Sequence, residues 1–256
     1  NNLEKVVFYI NDIEITTLYN SPYEIDWVAG ENDFGPHTIK IVAIDKEQVS
    51  KYDDVFIKIN GTVTDSDGNE YPTIKIGDQI WMGENLKTKT YNDGTPIILV
   101  TNEHDWYREE GVYCYSDFDE DQNADIYGAL YNWYAVNTEK LCPDGWHIPS
   151  DAEWLTLKDF VSSDGHGQYV GKALKSTTGW DDYKMGNGLD SYDFTALPGG
   201  QILGGFWGLG YFGYWWSSTE YLNYYGHYVS MGYSYDQLYD YHEFKEFGFS
   251  VRCIKD

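Results

Sequence analysis

The chain has 256 residues, of which 42 are acidic and 17 are basic, so its formal net charge is −25. This excess of negative charge repels a phosphate backbone and an anionic membrane surface, which argues against a nucleic-acid-binding function. No run of about 18 apolar residues occurs, so we expect no membrane-spanning segment.

Aromatic residues make up 18% of the chain, with 25 Tyr and 10 Trp beside 26 Gly. Tyr and Trp combine a large apolar area with a hydrogen-bonding tip, so they suit recognition surfaces as well as cores. The composition therefore favours a binding protein. The first residues contain neither Met nor a charged-then-apolar leader, and we expect a mature or trimmed form whose precursor is a lipid-anchored outer-membrane, cell-surface or secreted protein.

Residues 1–60 predict an all-β module. Short segments that alternate apolar and polar residues are separated by turn signals such as Asn11-Asp12. The predicted strands cover residues 5–10, 14–19, 23–29, 37–44 and 54–59. This spacing is typical of a β-sandwich. With its Ser21-Pro22-Tyr23 and Gly35-Pro36-His37-Thr38 turns, the module resembles small bacterial immunoglobulin-like domains, and the resemblance implies a spacer.

The composition changes at Asn60-Gly61, where we place a domain boundary, and residues 61–256 predict a second domain with two helices. Ser150 and Glu153 form a capping box at the start of one helix. Trp154, Leu157, Phe160 and Val161 then make its apolar stripe. The earlier helix is predicted over 126–136, with Tyr127, Leu130, Tyr131 and Tyr134 on its inner face. After Ser163 we expect turns and short strands.

An ordered series of motifs runs through the second domain. It comprises Gly61-Thr62-Val63-Thr64-Asp65, Ile80-Trp81-Met82-Gly83-Glu84-Asn85-Leu86, Tyr127-Gly128-Ala129-Leu130-Tyr131-Asn132-Trp133, Leu141-Cys142-Pro143-Asp144-Gly145-Trp146-His147-Ile148-Pro149-Ser150, Ala196-Leu197-Pro198-Gly199-Gly200, Trp215-Trp216-Ser217-Ser218-Thr219-Glu220 and Phe249-Ser250-Val251-Arg252-Cys253. On these motifs the segment closely resembles the Fibrobacter succinogenes major paralogous domain, a family of secreted and surface-exposed bacterial proteins related to the C-type lectin fold.

The resemblance implies an α+β, C-type lectin-like domain with two helices packed on an antiparallel sheet. It also implies a disulfide between Cys142 and Cys253, and hence an oxidising compartment. Cys114 is left as an unpaired thiol that we expect to be buried. The three cysteines show no spacing typical of a zinc site. Trp215 and Trp216 are expected to be framework residues, with Glu220 structural.

Acidic side chains alternate along Asp117 to Asp125. Oxygen ligands recur at every second position, which suits calcium if the segment is a loop. The candidate metal ligands are Asp117, Asp119, Asp121, Asn123 and Asp125. The segment lacks the central Gly of an EF-hand and has Gly128 where that motif needs Glu, so a solvated acidic loop is the favoured alternative. No cofactor is required by this interpretation.

The aromatic, Gly-rich stretch from 199 to 247 is the predicted recognition surface for a glycan or a protein ligand on a cell or host surface. Rigid aromatic side chains among small polar neighbours resemble an antibody paratope in their chemistry. The candidate ligand-binding residues are Phe206, Trp207, Tyr211, Tyr221, Tyr224, Tyr225, His227, Tyr233, Tyr235, Tyr239 and Tyr241. A hairpin over 229–242 would bring several of them together. The tripeptides with which C-type lectins bind sugar through calcium do not occur.

Three alternatives follow from the resemblance and the composition. Some family members resemble the variable receptors of diversity-generating retroelements, and residues 203–242 are rich in the residue types that such mutation encodes. The same broad fold hosts formylglycine-generating oxygenases, which hold copper through two cysteines, but no catalytic residue set stands out and we expect no enzyme. A self-assembling structural subunit with packed Tyr-rich faces is the third.

Overall fold

The computed structural model describes residues 2–30, 33–181 and 186–256. The chain divides into two compact units, Asn1–Gly61 and Thr62–Asp256, and both consist mainly of β-strands. Within the described residues, every helix is too short or too polar to cross a membrane.

The first unit contains one antiparallel sheet. Its strands are β1 (Leu3–Ile10), β2 (Ile13–Leu18), β3 (Gly35–Asp45) and β4 (Ser50–Ile59), in the spatial order β2-β1-β3-β4. The predicted Asn11-Asp12 turn is confirmed. Both residues have positive φ, 50° and 61°, and they join Ile10 directly to its partner Ile13. Asn and Asp tolerate this left-handed backbone, which a two-residue hairpin turn requires.

The predicted strand at 23–29 is wrong, and with it the two-sheet sandwich, because residues 2–30 and 33–61 contain only the four-stranded sheet. The large side chains of Tyr23, Ile25 and Trp27 are half-buried, while Glu24 and Asp26 are exposed. Alternation thus indicated correctly which side chains are covered. It did not indicate a neighbouring strand, and an extended segment without a hydrogen-bonded neighbour is not part of a sheet.

Two further sheets form the second unit. Their strands are β5 (Gly61–Thr64), β6 (Glu70–Ile76), β7 (Gln79–Met82), β8 (Ile98–Leu99), β9 (Val112–Cys114), β10 (Leu130–Asn132), β11 (Trp146–His147), β12 (Gly199–Ile202), β13 (Phe206–Leu209), β14 (Phe212–Tyr221), β15 (Tyr225–Gly232), β16 (Tyr239–Phe244), β17 (Gly248–Ser250) and β18 (Ile254–Lys255). The five-stranded sheet has the order β11-β18-β7-β6-β5. The nine-stranded sheet has the order β16-β15-β14-β17-β10-β9-β8, with β12 pairing with β13 and β17.

Four α-helices lie in the described part of the second unit: α1 (Glu120–Tyr127), α2 (Trp133–Val136), α3 (Asp151–Val161) and α4 (Val170–Leu174). The predicted start of α3 is confirmed, because Ser150 and Glu153 form both hydrogen bonds of the capping box. The predicted stripe is also confirmed: Trp154, Leu157 and Val161 are buried, and Phe160 is half-buried against the same core cluster. The short helix α4 was not predicted.

The single helix predicted over 126–136 is wrong. Helix α1 ends at Tyr127, the chain then forms β10, and α2 begins at Trp133. Gly128 interrupts the helix, since its φ is 72° and a Cβ there would lie 2.8 Å from the carbonyl oxygen of Leu86. The side chain of Asn132 then caps α2 by accepting from the backbone N–H of Ala135 at 3.1 Å.

A disulfide joins the turn before β11 to the loop between β17 and β18. It links Cys142 and Cys253, which are 111 positions apart, as the resemblance implies. Cys114, in β9, is a free and buried thiol as expected. Burial raises the pKa of the Cys114 thiol well above its usual value, so the sulfur stays protonated and unreactive at neutral pH.

A buried polar cluster, which we call the Asn85–Arg252 network, joins β14 to the segment that follows β7 and to the end of β17 with the segment that follows it. The Oδ1 atom of Asn85 accepts hydrogen bonds from Nε1 of Trp215 at 2.8 Å and from Nη2 of Arg252 at 2.7 Å. The Nδ2 atom of Asn85 donates to the carbonyl oxygen of Tyr127 at 2.9 Å and to Oγ of Ser250 at 3.3 Å. One amide side chain therefore bonds to four polar groups, three of which belong to buried residues, Trp215, Ser250 and Arg252.

The guanidinium of Arg252 is held by neutral groups. It lies 4.3 Å from the ring centroid of Phe194 and donates to the carbonyl oxygen of the same residue. Burial lowers the pKa of Arg252 to about 9, so the side chain remains charged at neutral pH. Without these acceptors the buried charge would destabilise the folded state, so the fold requires the network to stay intact.

We expect reduction of the disulfide to lower the free energy of unfolding by about 4–5 kcal/mol, because the bond closes a loop of more than 100 residues. Urea unfolding with and without a reductant measures this difference. Cys142→Ser should show the reduced value in both conditions. Cys114→Ala should keep the full response to the reductant, and an oxidised wild type that unfolds like Cys142→Ser would contradict the expectation.

Replacement of Asn85 should be strongly destabilising. Asn85→Ala leaves the Arg252 guanidinium and the Trp215 indole without an acceptor, and we expect a loss of about 3 kcal/mol in the free energy of unfolding. Asn223, an exposed asparagine in the turn between β14 and β15, provides the matched control. Asn223→Ala should change stability by less than about 0.5 kcal/mol. Equal losses in the two variants, measured by urea titration, would contradict this role for Asn85.

Candidate functional site

Strands β14, β15 and β16 lie side by side at one end of the nine-stranded sheet. The predicted hairpin is confirmed, because β15 and β16 are antiparallel and pair Tyr228 with Tyr241 and Ser230 with Tyr239. Alternate residues of a strand point to opposite sides of a sheet. Trp215 therefore lies on one side of β14, in the Asn85–Arg252 network, while Phe212 and Tyr214 lie on the other.

Seven aromatic residues on this other side form a continuous surface, which we call the aromatic face: Trp207, Phe212, Tyr214, Tyr228, Tyr235, Tyr239 and Tyr241. Six of the rings contact one another in a closed circuit. The centroid distances are 6.1 Å for Phe212–Tyr214, 5.9 Å for Tyr214–Tyr228, 6.1 Å for Tyr228–Tyr241, 5.9 Å for Tyr241–Tyr239, 5.1 Å for Tyr239–Tyr235 and 6.4 Å for Tyr235–Phe212. Trp207 stacks on Phe212 at 4.9 Å.

The aromatic face has a buried base and an exposed rim. Tyr214 and Tyr228 are 8% and 9% exposed, whereas Tyr239, Tyr241 and Trp207 are 37%, 51% and 56% exposed. Burial raises the pKa of the Tyr214 and Tyr228 hydroxyls, so these groups stay neutral hydrogen-bond donors at physiological pH. The rim can therefore meet a ligand while the base holds the rings in fixed positions.

A cavity of about 480 Å³ opens beside this face. Its aromatic walls come from β13, β14, the turn between them and the loop that follows β15, and its one carboxylate comes from a turn before α1. The side chains that line it are Asp117, Phe206, Trp207, Leu209, Tyr211, Phe212 and Tyr233. Tyr233 stands at 86° to Phe212 and at 84° to Tyr211, with centroid distances of 5.7 and 5.1 Å. The walls of this aromatic cavity thus meet at nearly right angles.

The remaining predicted ligand residues are elsewhere. Tyr221, Tyr225 and His227 lie on the opposite side of the sheet from Tyr228, where Tyr221 stacks on His242 at 3.9 Å. Tyr224, 71% exposed, lies in the turn between β14 and β15. The predicted set therefore divides between two sides of one sheet. Tyr235, Tyr239 and Tyr241 contact one another in the aromatic face, and Tyr233 is linked to them through Phe212.

Sequence reasoning missed Phe212, Tyr214 and Tyr228 as members of this surface. Phe212, Tyr214 and Trp216 recur at every second position, which is the spacing of one strand face, so alternation within β14 was the available signal. Trp215 and Trp216 are fully buried, in agreement with their expected framework role. Glu220 forms an ion pair with Lys245, which fits a structural role.

The acidic segment is not the loop on which the calcium prediction depends. Residues 120–127 form α1, and Asp119 caps this helix by accepting from the backbone N–H of Gln122 at 3.1 Å. Asn123 is buried and donates to the carbonyl oxygen of Ser116 at 2.7 Å, while Asp125 accepts from Lys87 at 2.9 Å. Side chains two positions apart on a helix point in different directions, so Asp121, Asn123 and Asp125 cannot converge on one ion.

Across the described residues, no group of three or more His, Cys, Asp and Glu side chains is placed to hold a metal ion. Asp117 differs from the other predicted ligands, since its φ of 55° places it in a turn and its side chain lines the aromatic cavity. The acidic residues of this segment thus start a helix, pair with a lysine or face the cavity.

Residues 74–255 match the profile of the Fibrobacter succinogenes major domain. The chain belongs to this family. Neither a curated protein nor a solved structure matches it. The matched residues of this Fibrobacter succinogenes major domain include the whole Asn85–Arg252 network, the disulfide and every residue of the aromatic face. Three of the motifs that indicated the family contribute Asn85, Trp215 and Arg252 to the network, so these motif residues maintain the fold.

We expect calcium to leave the stability of this domain unchanged. Asp119 and Asp125 already have protein partners, so the melting temperature in millimolar calcium and in EDTA should agree within the error of the measurement. Asp121→Asn is the matched variant, because Asp121 was a predicted ligand and is exposed in the first turn of α1. A melting temperature that rises with calcium in the wild type but not in Asp121→Asn would restore the predicted site.

Proposed function

We propose that this protein is a non-catalytic recognition protein that binds a glycan or a protein ligand on a cell or host surface through the aromatic face. The observation that carries the proposal is the exposed rim of Trp207, Tyr239 and Tyr241 on a base of packed aromatic rings. Rings that are already held in place lose little conformational freedom on binding, which favours affinity.

The chemistry of the rim suits both ligand classes. The negative face of an aromatic ring attracts the C–H groups of a sugar ring, and aromatic side chains are also the common anchors of protein interfaces. The net charge of −25 disfavours anionic ligands such as acidic polysaccharides. Neutral or cationic ligands are therefore the expected partners.

The disulfide supports an extracellular or cell-surface location, because such bonds persist in oxidising compartments. We further propose that the second unit has a C-type lectin-like fold, on the motif series that resembles this group. The first unit would act as a spacer, and a lipid anchor on the precursor would hold the protein at the outer membrane.

Two alternatives are less well supported. An oxygenase that binds copper through two thiols would need Cys142 and Cys253 in their reduced forms, and these residues are bonded to each other. Cys114 is buried, with a raised pKa. A self-assembling subunit would use the aromatic rim against copies of itself, and light scattering would then detect oligomers whose formation depends on Trp207 and Tyr241.

The experiment compares binding by the whole chain and by rim variants to a glycan array and to intact bacterial and host cells. The combined variant Trp207→Ala, Tyr239→Ala, Tyr241→Ala should lose at least about tenfold in affinity, because each ring contributes on the order of 1 kcal/mol. Tyr224→Ala is the matched control, since this tyrosine is more exposed and lies outside the aromatic face. Binding that survives in the combined variant would refute the proposed site.

A further inference from the structure

Four features of the aromatic cavity, taken together, suit a compact ligand better than a flat sugar ring. Five aromatic rings line it together with the carboxylate of Asp117, and they belong to Phe206, Trp207, Tyr211, Phe212 and Tyr233. Among its described lining residues there is no Lys or Arg. Two pairs of rings stand at 84° and 86°. Its volume of about 480 Å³ falls within the ordinary range for small-molecule sites.

These features determine which ligand shape and charge fit best. A sugar ring stacks on one flat aromatic surface, whereas a compact, rounded group can touch walls that meet at right angles. The faces of aromatic rings carry partial negative charge, so a cation near several of them is attracted, most strongly when it has no tightly held water. The full charge of Asp117 adds to this attraction.

Local packing places the carboxylate at the cavity. Asp117 lies in the turn Ser116–Phe118, where its left-handed φ of 55° turns the chain sharply. The neighbouring Phe118 packs edge-on against Phe206 at 4.6 Å, and Oγ of Ser116 donates to the carbonyl oxygen of Gly199 at 2.8 Å. Both contacts fix the turn against β12 and β13, so the charge stays beside the rings.

We propose that the aromatic cavity binds an alkylated ammonium group, such as the trimethylammonium head of choline. The methyl groups pack against the rings, and the positive charge is balanced by Asp117 and by the acidic protein as a whole. The cavity is larger than such a head, which leaves room for part of the molecule that carries it. This inference rests on the proposed function, since Trp207 and Phe212 also belong to the aromatic face, and it names the ligand class of one end of that face.

The test uses choline and its neutral isostere 3,3-dimethyl-1-butanol, in which carbon replaces the charged nitrogen. Titration of the whole chain, followed by calorimetry and tryptophan fluorescence, should show choline binding about tenfold more tightly than the isostere. Asp117→Asn should remove most of this preference and weaken the dependence of choline binding on salt. Trp207→Ala should weaken choline binding by about tenfold, because it removes the most exposed wall. Tyr224→Ala should bind like the wild type.

Equal affinity for choline and its isostere would overturn the proposal, because it would mean that the cavity binds by apolar contact alone and does not select a positive charge. Absence of saturable choline binding would also overturn it, and binding of methyl glucoside that is lost in Trp207→Ala would then assign the cavity to a neutral sugar. None of these results bears on the rim of Tyr239 and Tyr241, whose role is tested separately on glycans and cells. Failure of this inference is therefore distinguishable from failure of the proposed function.

Discussion

The buried guanidinium of Arg252 is the constraint on which the second unit depends. Its charge is buried, and its Nη1 and Nη2 atoms donate to the carbonyl oxygen of Phe194 and to Asn85. The same Asn85 oxygen holds the indole of Trp215, so β14 is fixed to the segment that follows β7 and to the segment that follows β17. An amide is suited to this position because it offers an acceptor and two donors at once.

The Asn85–Arg252 network also holds the aromatic face in place, because β14 contributes side chains to both. One side of β14 presents Trp215 to the buried cluster, and the other presents Phe212 and Tyr214 to the base of the face. A strand anchored on one side cannot rotate without moving the side chains on the other. The Asn85–Arg252 network and the aromatic face thus lie on opposite sides of the same strand, Phe212–Tyr221.

Local signals with a single physical cause were predictable from the sequence. The Ser150–Glu153 capping box, the Asn11-Asp12 turn and the β15–β16 hairpin all depend on neighbouring residues, and all three are present. Predictions from local pattern failed where the outcome depended on distant partners, and the one distant pairing that was expected, Cys142–Cys253, came from the family resemblance. A strand was predicted at 23–29 from alternating apolar and polar residues, but this pattern contains no information about whether a neighbouring strand is present. A single helix was predicted over 126–136 from its periodicity, which does not show that Gly128 packs against Leu86. Likewise, Asp117 and Tyr233 are brought together only by the fold.

The disulfide and the Asn85–Arg252 network have a consequence for protein engineering. Together they anchor the chain at residues 142, 215 and 252–253, so the stretch that carries the exposed aromatic rings is held by buried contacts within it and directly after it. The rim side chains contribute little to those contacts. Combinatorial replacement of rim positions should therefore be tolerated by the scaffold, which makes this domain a natural starting point for libraries of new binders.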